Sequence, residues 1–177
     1  TTLPCDECEL CKGISSGNAL DVIEIDAASN TGVENIRELI ERSRFAPAKA
    51  RWKVYVIDEC HMLSTAAFNA LLKTLEEPPP QVVFILATTD PQRVLPTIMS
   101  RCMRFDFKRI ALDDLESHLM SIAKKEEISI NEEAISLIAK HSQGGLRDAE
   151  SLLDQISLLP PPITQVNIIN LIGAVPE

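Results

Sequence analysis

The chain has 177 residues, of which 45% are hydrophobic and 24% are charged, as in an ordinary globular protein. No apolar run approaches the roughly 18 residues needed to cross a bilayer, and the first residues lack the basic and apolar regions of a secretory signal. Five cysteines, three of them within seven residues, are unlike a disulfide framework and favour a reducing compartment. We therefore expect a cytoplasmic protein, without a membrane partner, of one or two domains.

The charge is unevenly distributed along the chain. The net charge of −9 divides into 15 acidic and 13 basic residues up to Ile110, and 11 acidic and 4 basic residues from Ala111 onward. This difference predicts two modules, residues 1–110 and 111–177. The first contains a basic stretch made of Arg37, Arg42, Arg44, Lys49, Arg51 and Lys53. This stretch is the candidate phosphate-facing surface, although a solvated helix face is the more common explanation.

Four short runs rich in β-branched or aromatic residues predict strands. They are Val22–Ile25, Lys53–Asp58, Val82–Thr88 and Met103–Phe107. Segments with helical periodicity separate the first three; a capping-box pattern at Thr31 begins one helix, and Ser64 begins the other. Such alternation predicts an α/β class with a parallel sheet. After Phe107, four helical patterns predict a small bundle, with helices starting near Asp113, Asn131, Gly145 and Thr164.

The strongest chemical signal is the acid pair Asp58-Glu59, which ends a buried strand. Ligands bind at the carboxyl edge of parallel strands, so both carboxylates are placed where a ligand would lie. In a phosphate-handling site the first acid holds Mg²⁺ through water and the second polarises the attacking water. A charged strand end that merely begins a loop is the alternative. His61 beside the acids is a candidate cap or hydrogen-bond partner rather than a catalytic base.

Three weaker signals accompany the acid pair. Thr88 and Thr89 place hydroxyls at the same edge, although Thr-Thr-Asp-Pro is also a good helix cap. Arg101 precedes the last predicted strand, and Arg147 follows two glycines at the start of a helix. A lone arginine is usually a surface residue, but the features in this order form a specific constellation.

This constellation resembles the gamma/tau family of bacterial DNA polymerase III clamp-loader subunits, which are AAA+ ATPases. The resemblance extends from Cys5 to Glu177 and is carried by residues 22–29, 54–64, 68–79, 86–91 and 100–102. It implies an AAA+ (RecA-like) parallel sheet with flanking helices, followed by a small all-α lid domain. It also implies other clamp-loader subunits, a sliding clamp and primed DNA as partners.

The resemblance assigns roles to the acids and threonines. It implies that Asp58 and Glu59 are the Walker B pair, with Asp58 holding the Mg²⁺ of Mg-ATP through water. Thr89, or its neighbour Thr88, would be the residue that senses the nucleotide.

Each arginine receives a different role. The resemblance implies that Arg147 folds over the nucleotide of its own subunit from the lid, and that Arg101 is an arginine finger serving the adjacent subunit. From the basic stretch we expect Arg37 to contact the DNA backbone without base specificity, behind helix-start amides near Asn30 and Thr31.

One family motif is absent from this sequence. No G-x-x-x-x-G-K-[ST] phosphate-binding loop is present, since none of the six glycines precedes Lys-Ser or Lys-Thr. In the family that loop and a central strand lie upstream, so we expect a fragment with an incomplete sheet that is inactive alone. Backbone groups left unpaired beside a missing strand would cost about 1–3 kcal/mol each if buried.

Cys5, Cys8 and Cys11 have the tight spacing that folds thiolates around zinc, but a closed structural site takes four ligands. Cys60 and Cys102 lie in other motifs and are poor candidates for the fourth. The resemblance implies a fourth cysteine upstream of Thr1. We therefore expect structural zinc in the intact protein, with free thiols on a flexible loop as the alternative.

Two other functions compete with the clamp-loader hypothesis. A DExH-type helicase fragment would also contain Asp58-Glu59-Cys60-His61 and a following Ala-Thr-Thr, but a helicase continues into a second α/β domain. A catalytically inactive AAA+ interaction module is the third possibility. The acid pair and Arg101 argue against it for the parent protein.

Overall fold

A three-stranded parallel sheet forms the centre of the first half of the chain. Its strands are β1 (Val22–Asp26), β2 (Lys53–Asp58) and β3 (Val82–Leu86), with β2 in the middle. Tyr55 on β2 pairs with Ile23 on one side and Phe84 on the other, and the rings of Tyr55 and Phe84 stack with centroids 5.5 Å apart. Because side chains alternate along a strand, these residues share one face of the sheet.

Two helices cover that face: α2 (Val33–Ser43), between β1 and β2, and α3 (Thr65–Glu76), between β2 and β3. They bury Ile36 and Leu39 from α2, and Phe68 and Leu71 from α3. Each such side chain contributes about 1.5–3 kcal/mol on burial, so this layer is the main stabilising contact of the sheet. On the opposite face Val83 and Ile85 remain 39% and 47% exposed.

Of the two N-caps predicted for α2 and α3, the structure contains one. Ser64 is the N-cap of α3, and its hydroxyl accepts from the N–H of Ala67 at 3.2 Å, as predicted. The capping box at Thr31 is wrong, because Gly32 is the N-cap of α2 and makes no side-chain cap. The Thr31 carbonyl instead accepts from the N–H of Ser64 at 3.2 Å, which links the starts of the two helices.

The predicted fourth strand, Met103–Phe107, is also wrong. The segment is irregular, and Met103, Phe105 and Phe107 are between 72% and 96% exposed. Its alternating pattern is typical of a strand, but a strand persists only when its N–H and C=O groups pair with a neighbour. The third predicted strand is shorter than expected and ends at Leu86.

Two short α-helices and two 3₁₀ turns, Cys60–Met62 and Pro91–Arg93, are the other helical elements described in this part of the chain. α1 (Glu9–Ser15) begins after Cys8 and was not predicted, because seven residues with an internal glycine give little helical signal. α4 (Pro96–Met99) begins with proline, whose fixed φ suits a first helical position.

The second half of the chain consists of four helices, as predicted, within the residues that the structure describes. They are α5 (Leu112–Lys125), α6 (Glu132–His141), α7 (Leu146–Ser157) and α8 (Gln165–Ile172). Their shared core contains Leu115, Leu119, Ile135, Ile138, Leu153 and Ile156. Asn131 caps α6 by accepting from the N–H of Ala134 at 3.0 Å.

This computed structural model describes residues 3–172, without the side chain of residue 172. The chain divides into two compact units, one up to Phe105 and one from Asp106 onward. Across residues 3–172, none of the helices has the length and apolar character that a membrane crossing requires.

Asp21, just before β1, is a buried carboxylate that organises the loop before β2. It accepts the backbone N–H groups of Ala48, Lys49 and Ala50 at 2.6–2.7 Å. Burial acts to raise the pKa of Asp21, but the three N–H groups outweigh it and the pKa is lowered. The loop of the basic stretch is therefore held in place by an ionised side chain.

We expect Asp21→Asn to lower the free energy of unfolding by about 1–3 kcal/mol at pH 7, because the amide cannot accept all three N–H groups. Since the pKa of Asp21 is lowered in the folded state, its contribution is complete above the unfolded value of about 3.9 and is lost as the pH falls through the folded value. Urea unfolding at pH 7 measures the difference. Asp154→Asn, on an exposed face of α7, is the control, and equal destabilisation by both variants would contradict the assignment.

Candidate functional site

The acid pair lies at the carboxyl edge of the sheet. β2 ends at Asp58, which is exposed and in register with Asp26, the last residue of β1. The Ser29 hydroxyl and the Ala28 N–H donate to Asp26 at 2.6 and 2.8 Å and lower the pKa of Asp26. Asp58 in turn accepts the N–H of Glu59 at 2.9 Å. Because β1 and β2 are parallel and in register, both strands end in a carboxylate at the same level of the sheet.

Glu59 has a left-handed backbone conformation, with φ 46° and ψ 42°. Such a conformation costs a non-glycine residue about 1–3 kcal/mol and persists only where the surroundings fix it. The next residue supplies one such restraint, because the N–H of Cys60 donates to the carbonyl of Ala87 at 2.9 Å. The turn therefore ties the acid pair to the end of β3.

Thr88 and Thr89, which follow β3, contact two different side chains of this turn. The Thr89 hydroxyl donates to Oε2 of Glu59 at 2.9 Å, and the Thr89 N–H lies 3.4 Å from the same oxygen. Thr88 Oγ1 lies 2.9 Å from Nδ1 of His61 and accepts from the N–H of Asp90 at 3.0 Å. The structure therefore brings Thr89 to Glu59 and Thr88 to His61, next to the acid pair.

His61 lies beside the acid pair as a hydrogen-bonding side chain, which is one of the two roles predicted for it. Its side chain is only one-tenth exposed, and Nδ1 lies 3.1 Å from Oε2 of Glu59 as well as 2.9 Å from Thr88. Its position three residues after a strand-ending acid was the available signal. That signal does not show that the ring turns back toward the carboxylate.

Cys60 is a structural thiol in this turn. It is buried, and burial, together with the charges of Cys102 and the two acids, raises the pKa of Cys60 to about 11. The thiol packs in the core against α3 rather than acting as a nucleophile.

Arg101 follows α4 and is held by its own unit. Its Nε and Nη2 atoms both donate to Oε1 of Glu76, with the Nε contact at 2.8 Å, and Nη1 donates to the carbonyl of Thr97 at 2.6 Å. About a third of the side chain remains exposed. Glu76 ends α3, so Arg101 is joined to the helix that covers the sheet.

Arg147 lies in the first turn of α7, in the second unit, and is exposed. The turn before it requires glycine: Gly144 has φ +81°, and a Cβ there would lie 2.8 Å from the Cβ of Arg109. The Gly144 carbonyl accepts from the N–H of Ile110 at 3.2 Å, and Arg109 Nη1 donates to the carbonyl of Gln143 at 2.5 Å. The residues before α5 therefore fix the start of the helix that carries Arg147.

The basic stretch is largely paired with acids. Arg37 contacts Glu34 at 2.6 Å across one helical turn, and its side chain is 62% exposed. The other ion pairs are Arg42 with Glu38, Arg44 with Glu41, and Lys49 with Glu9. Exposed pairs of this kind contribute little to stability, so the cations can exchange partners. The phosphate contact of Arg37 stays a prediction.

The three N-terminal cysteines have sulfur atoms within 4.8 Å of one another. Cys5 Sγ and Cys11 Sγ are 3.7 Å apart, close to the about 3.8 Å between two sulfurs of a tetrahedral zinc with Zn–S bonds near 2.3 Å. The backbone N–H groups of Cys8 and Glu7 lower the pKa of Cys5 to about 7, which favours the metal-binding thiolate. The donor set and its spacing therefore fit zinc.

Comparison with protein families gives two matches that together cover most of the chain. Residues 1–111 match the family described as DNA polymerase III, delta subunit. Residues 114–157 match the ATPase lid domain of the DNA polymerase III clamp loader subunit.

Similar curated proteins come from several bacteria. The chain is 55% identical to DNA polymerase III subunit tau of Bacillus subtilis over 152 residues, which are 86% of this chain and 27% of that protein. It is 49% identical to subunit tau/gamma of Haemophilus influenzae over 98% of this chain and 25% of that protein. A gamma subunit of Buchnera aphidicola is 47% identical over the whole chain and 49% of its own length. The chain thus spans about a quarter to a half of these relatives.

Solved structures give the fold. A RuvB mutant of Thermotoga maritima has a TM-score of 0.70 at 17% identity and covers 90% of this chain and 55% of its own. A gamma subunit-related protein of DNA polymerase III from the same organism has a TM-score of 0.52 at 26% identity, over 79% of this chain and 48% of its own. The AAA+ sheet with flanking helices, followed by a helical lid, is confirmed. From the family matches and the relatives, the chain belongs to the DNA polymerase III gamma/tau family of clamp-loader subunits.

Proposed function

We propose that this chain supplies part of the ATP-hydrolysing site of a clamp-loader subunit, which with other loader subunits places a sliding clamp on primed DNA. The observation that carries the proposal is the 2.9 Å hydrogen bond between the Thr89 hydroxyl and Glu59, next to Asp58 at the carboxyl edge of the sheet. Carboxylates and a hydroxyl at the ends of neighbouring strands match the chemistry of phosphoryl transfer.

Each residue at this edge has a role in the proposal. Asp58, an exposed carboxylate, would hold the Mg²⁺ of Mg-ATP through water, and that ion would neutralise phosphate charge. Glu59 orients and polarises the attacking water. Thr89 fixes Glu59 through its hydroxyl and backbone N–H. Arg147 is exposed at the start of a lid helix, and its role toward the nucleotide of its own subunit is the one that the family resemblance implies.

The helicase alternative is disfavoured by the second unit. A helicase would continue into another α/β domain, whereas the described residues after Asp106 form helices joined by turns and an isolated bridge. The inactive-module alternative requires no ordered acid pair, yet the Glu59 carboxylate accepts from the hydroxyl and the N–H of Thr89.

The test of this proposal replaces the water-polarising carboxylate. We expect Glu59→Gln to lower ATP hydrolysis at least a hundredfold while ATP affinity stays within a few-fold, because a neutral amide cannot polarise water but leaves the nucleotide contacts in place. The assay uses the full-length subunit, assembled with its partners, since the gamma and tau relatives are longer than this chain. Glu24→Gln, at an exposed position of β1, is the control. Undiminished hydrolysis by Glu59→Gln would refute the proposal.

Arg101 acts, in this proposal, on the ATP of the adjacent subunit. In the isolated chain it donates to Glu76, so it must exchange that carboxylate for a phosphate when subunits meet. We expect Arg101→Ala to lower hydrolysis in the assembled loader by about tenfold or more and to leave ATP affinity nearly unchanged. Lys12→Ala, which removes an exposed cation of the same unit outside the basic stretch, is the control.

Mixed assemblies decide which ATP Arg101 serves. Subunits carrying Arg101→Ala are combined with subunits whose phosphate-binding loop is disabled, and hydrolysis is measured. If hydrolysis is lost for the ATP bound to the Arg101→Ala subunit itself, rather than for the ATP of the neighbouring subunit, the proposal that Arg101 serves the adjacent subunit is wrong.

We further propose that Cys5, Cys8 and Cys11 hold a structural zinc, with a fourth ligand from outside these three thiolates. We expect the chain to bind one Co²⁺ with sulfur-to-metal charge-transfer absorption, and Cys8→Ser to abolish that absorption. Cys102→Ser removes an exposed cysteine outside the cluster and is the control. Equal absorption in the Cys8→Ser and wild-type chains would exclude the site.

Contact with DNA is the remaining part of the proposal. Arg37 is exposed on α2, and its pairing with Glu34 is weak enough to be replaced by a phosphate. In the assembled loader, the salt dependence of DNA binding with and without this arginine measures the contact.

A further inference from the structure

His61 joins the two parts of the candidate site, the acid turn and the threonines after β3. Its Nδ1 lies 3.1 Å from Oε2 of Glu59 and 2.9 Å from Oγ1 of Thr88, and the ring is almost buried. We propose that His61 is a positioning residue for Glu59: its ring, hydrogen-bonded through Nδ1 to Thr88, lies against Oε2 and holds the carboxylate so that Oε1 is left to accept from the attacking water. This inference rests on the proposed ATP hydrolysis and adds a residue to it.

The contacts favour one tautomer of the ring. Nδ1 has one hydrogen bond, to Thr88, and a carboxylate oxygen of Glu59 lies 3.1 Å away, which favours a proton on Nδ1. Thr88 Oγ1, which accepts from the N–H of Asp90, has a second lone pair for the same Nδ1–H. The reverse arrangement, with a bare Nδ1, would set its lone pair against the carboxylate.

Oε2 of Glu59 then faces three polar groups. The Thr89 hydroxyl at 2.9 Å and the Thr89 N–H at 3.4 Å donate to it, and the third group, His61 Nδ1, lies 3.1 Å away. These groups fix the rotation of the carboxylate and leave the lone pairs of Oε1 for water. A carboxylate held in one orientation is what an oriented attack on phosphate requires.

The backbone explains why a ring is used at this position. Residues 60–62 form a single 3₁₀ turn, anchored by the Cys60 N–H on Ala87 and by the Met62 N–H on the Glu59 carbonyl at 2.8 Å. His61 is therefore presented from a fixed backbone, and its planar ring spans the distance to Glu59 without a flexible stem.

The distance of each ring nitrogen from Cβ, counted in bonds, suggests a matched pair of variants. In asparagine, Nδ2 is as many bonds from Cβ as Nδ1 is in histidine, so His61→Asn can place an N–H donor near Oε2. In His61→Gln the amide nitrogen corresponds in reach to Nε2. His61→Ala removes the donor altogether.

The decisive measurement is steady-state ATP hydrolysis by the full-length subunit assembled with its partners. We expect His61→Ala and His61→Gln to lower kcat about tenfold with KM for ATP unchanged, and His61→Asn to stay within about threefold of wild type. Thermal unfolding of each variant shows whether the fold is retained. An unchanged or raised kcat in His61→Ala, or equal losses in the Asn and Gln variants, would overturn the inference.

A second measurement does not depend on hydrolysis. In the full-length subunit labelled with ¹⁵N-histidine, we expect the His61 resonance to show a proton on Nδ1, and a bare Nδ1 would overturn the inference. If the wild-type loader hydrolyses no ATP, the proposed function fails by itself. If the wild-type loader hydrolyses ATP and His61→Ala equals it, only the role of His61 fails.

Discussion

Parallel pairing of three strands in one register determines where the chemistry of this chain lies. The backbone hydrogen bonds between β1 and β2 bring Asp26 and Asp58 to the same level of the sheet. Strand β3 ends one residue pair earlier, where Leu86 pairs with Ile57. The loop after β3 then lies beside the turn at Glu59. The buried layer of α2 and α3 stabilises this register, because a slip by one residue would turn Tyr55 and Ile57 away from the helices.

Local patterns in the sequence predicted the elements that local physics controls. Strand β2 followed by Asp58-Glu59, the Ser64 cap of α3 and the Asn131 cap of α6 depend on neighbouring residues, and the structure has all three. The clamp-loader resemblance also predicted the AAA+ sheet and the helical lid. Strand β2 and the two caps, unlike the features that the resemblance supplied, could be read because their signals lie within a few residues of one another.

Features that depend on distant contacts were not predictable in the same way. The segment 103–107 has the alternation of a strand, but strand formation needs a pairing partner that its own pattern does not specify. The contact of Arg101 with Glu76 joins residues 25 positions apart, and that of His61 with Thr88 joins residues 27 apart. The left-handed Glu59 follows from its surroundings, since glutamate itself disfavours that conformation.

Burial of Cys60 separates the cysteines by chemical reactivity. Burial raises the pKa of Cys60 to about 11, so its thiol stays protonated at pH 7, whereas the lowered pKa of Cys5, about 7, favours its thiolate when no metal is bound. Maleimide and iodoacetamide reagents attack thiolates. A fluorophore added at neutral pH would therefore attach at Cys5 in preference to Cys60, which makes the metal-free chain suitable for labelling away from the sheet edge.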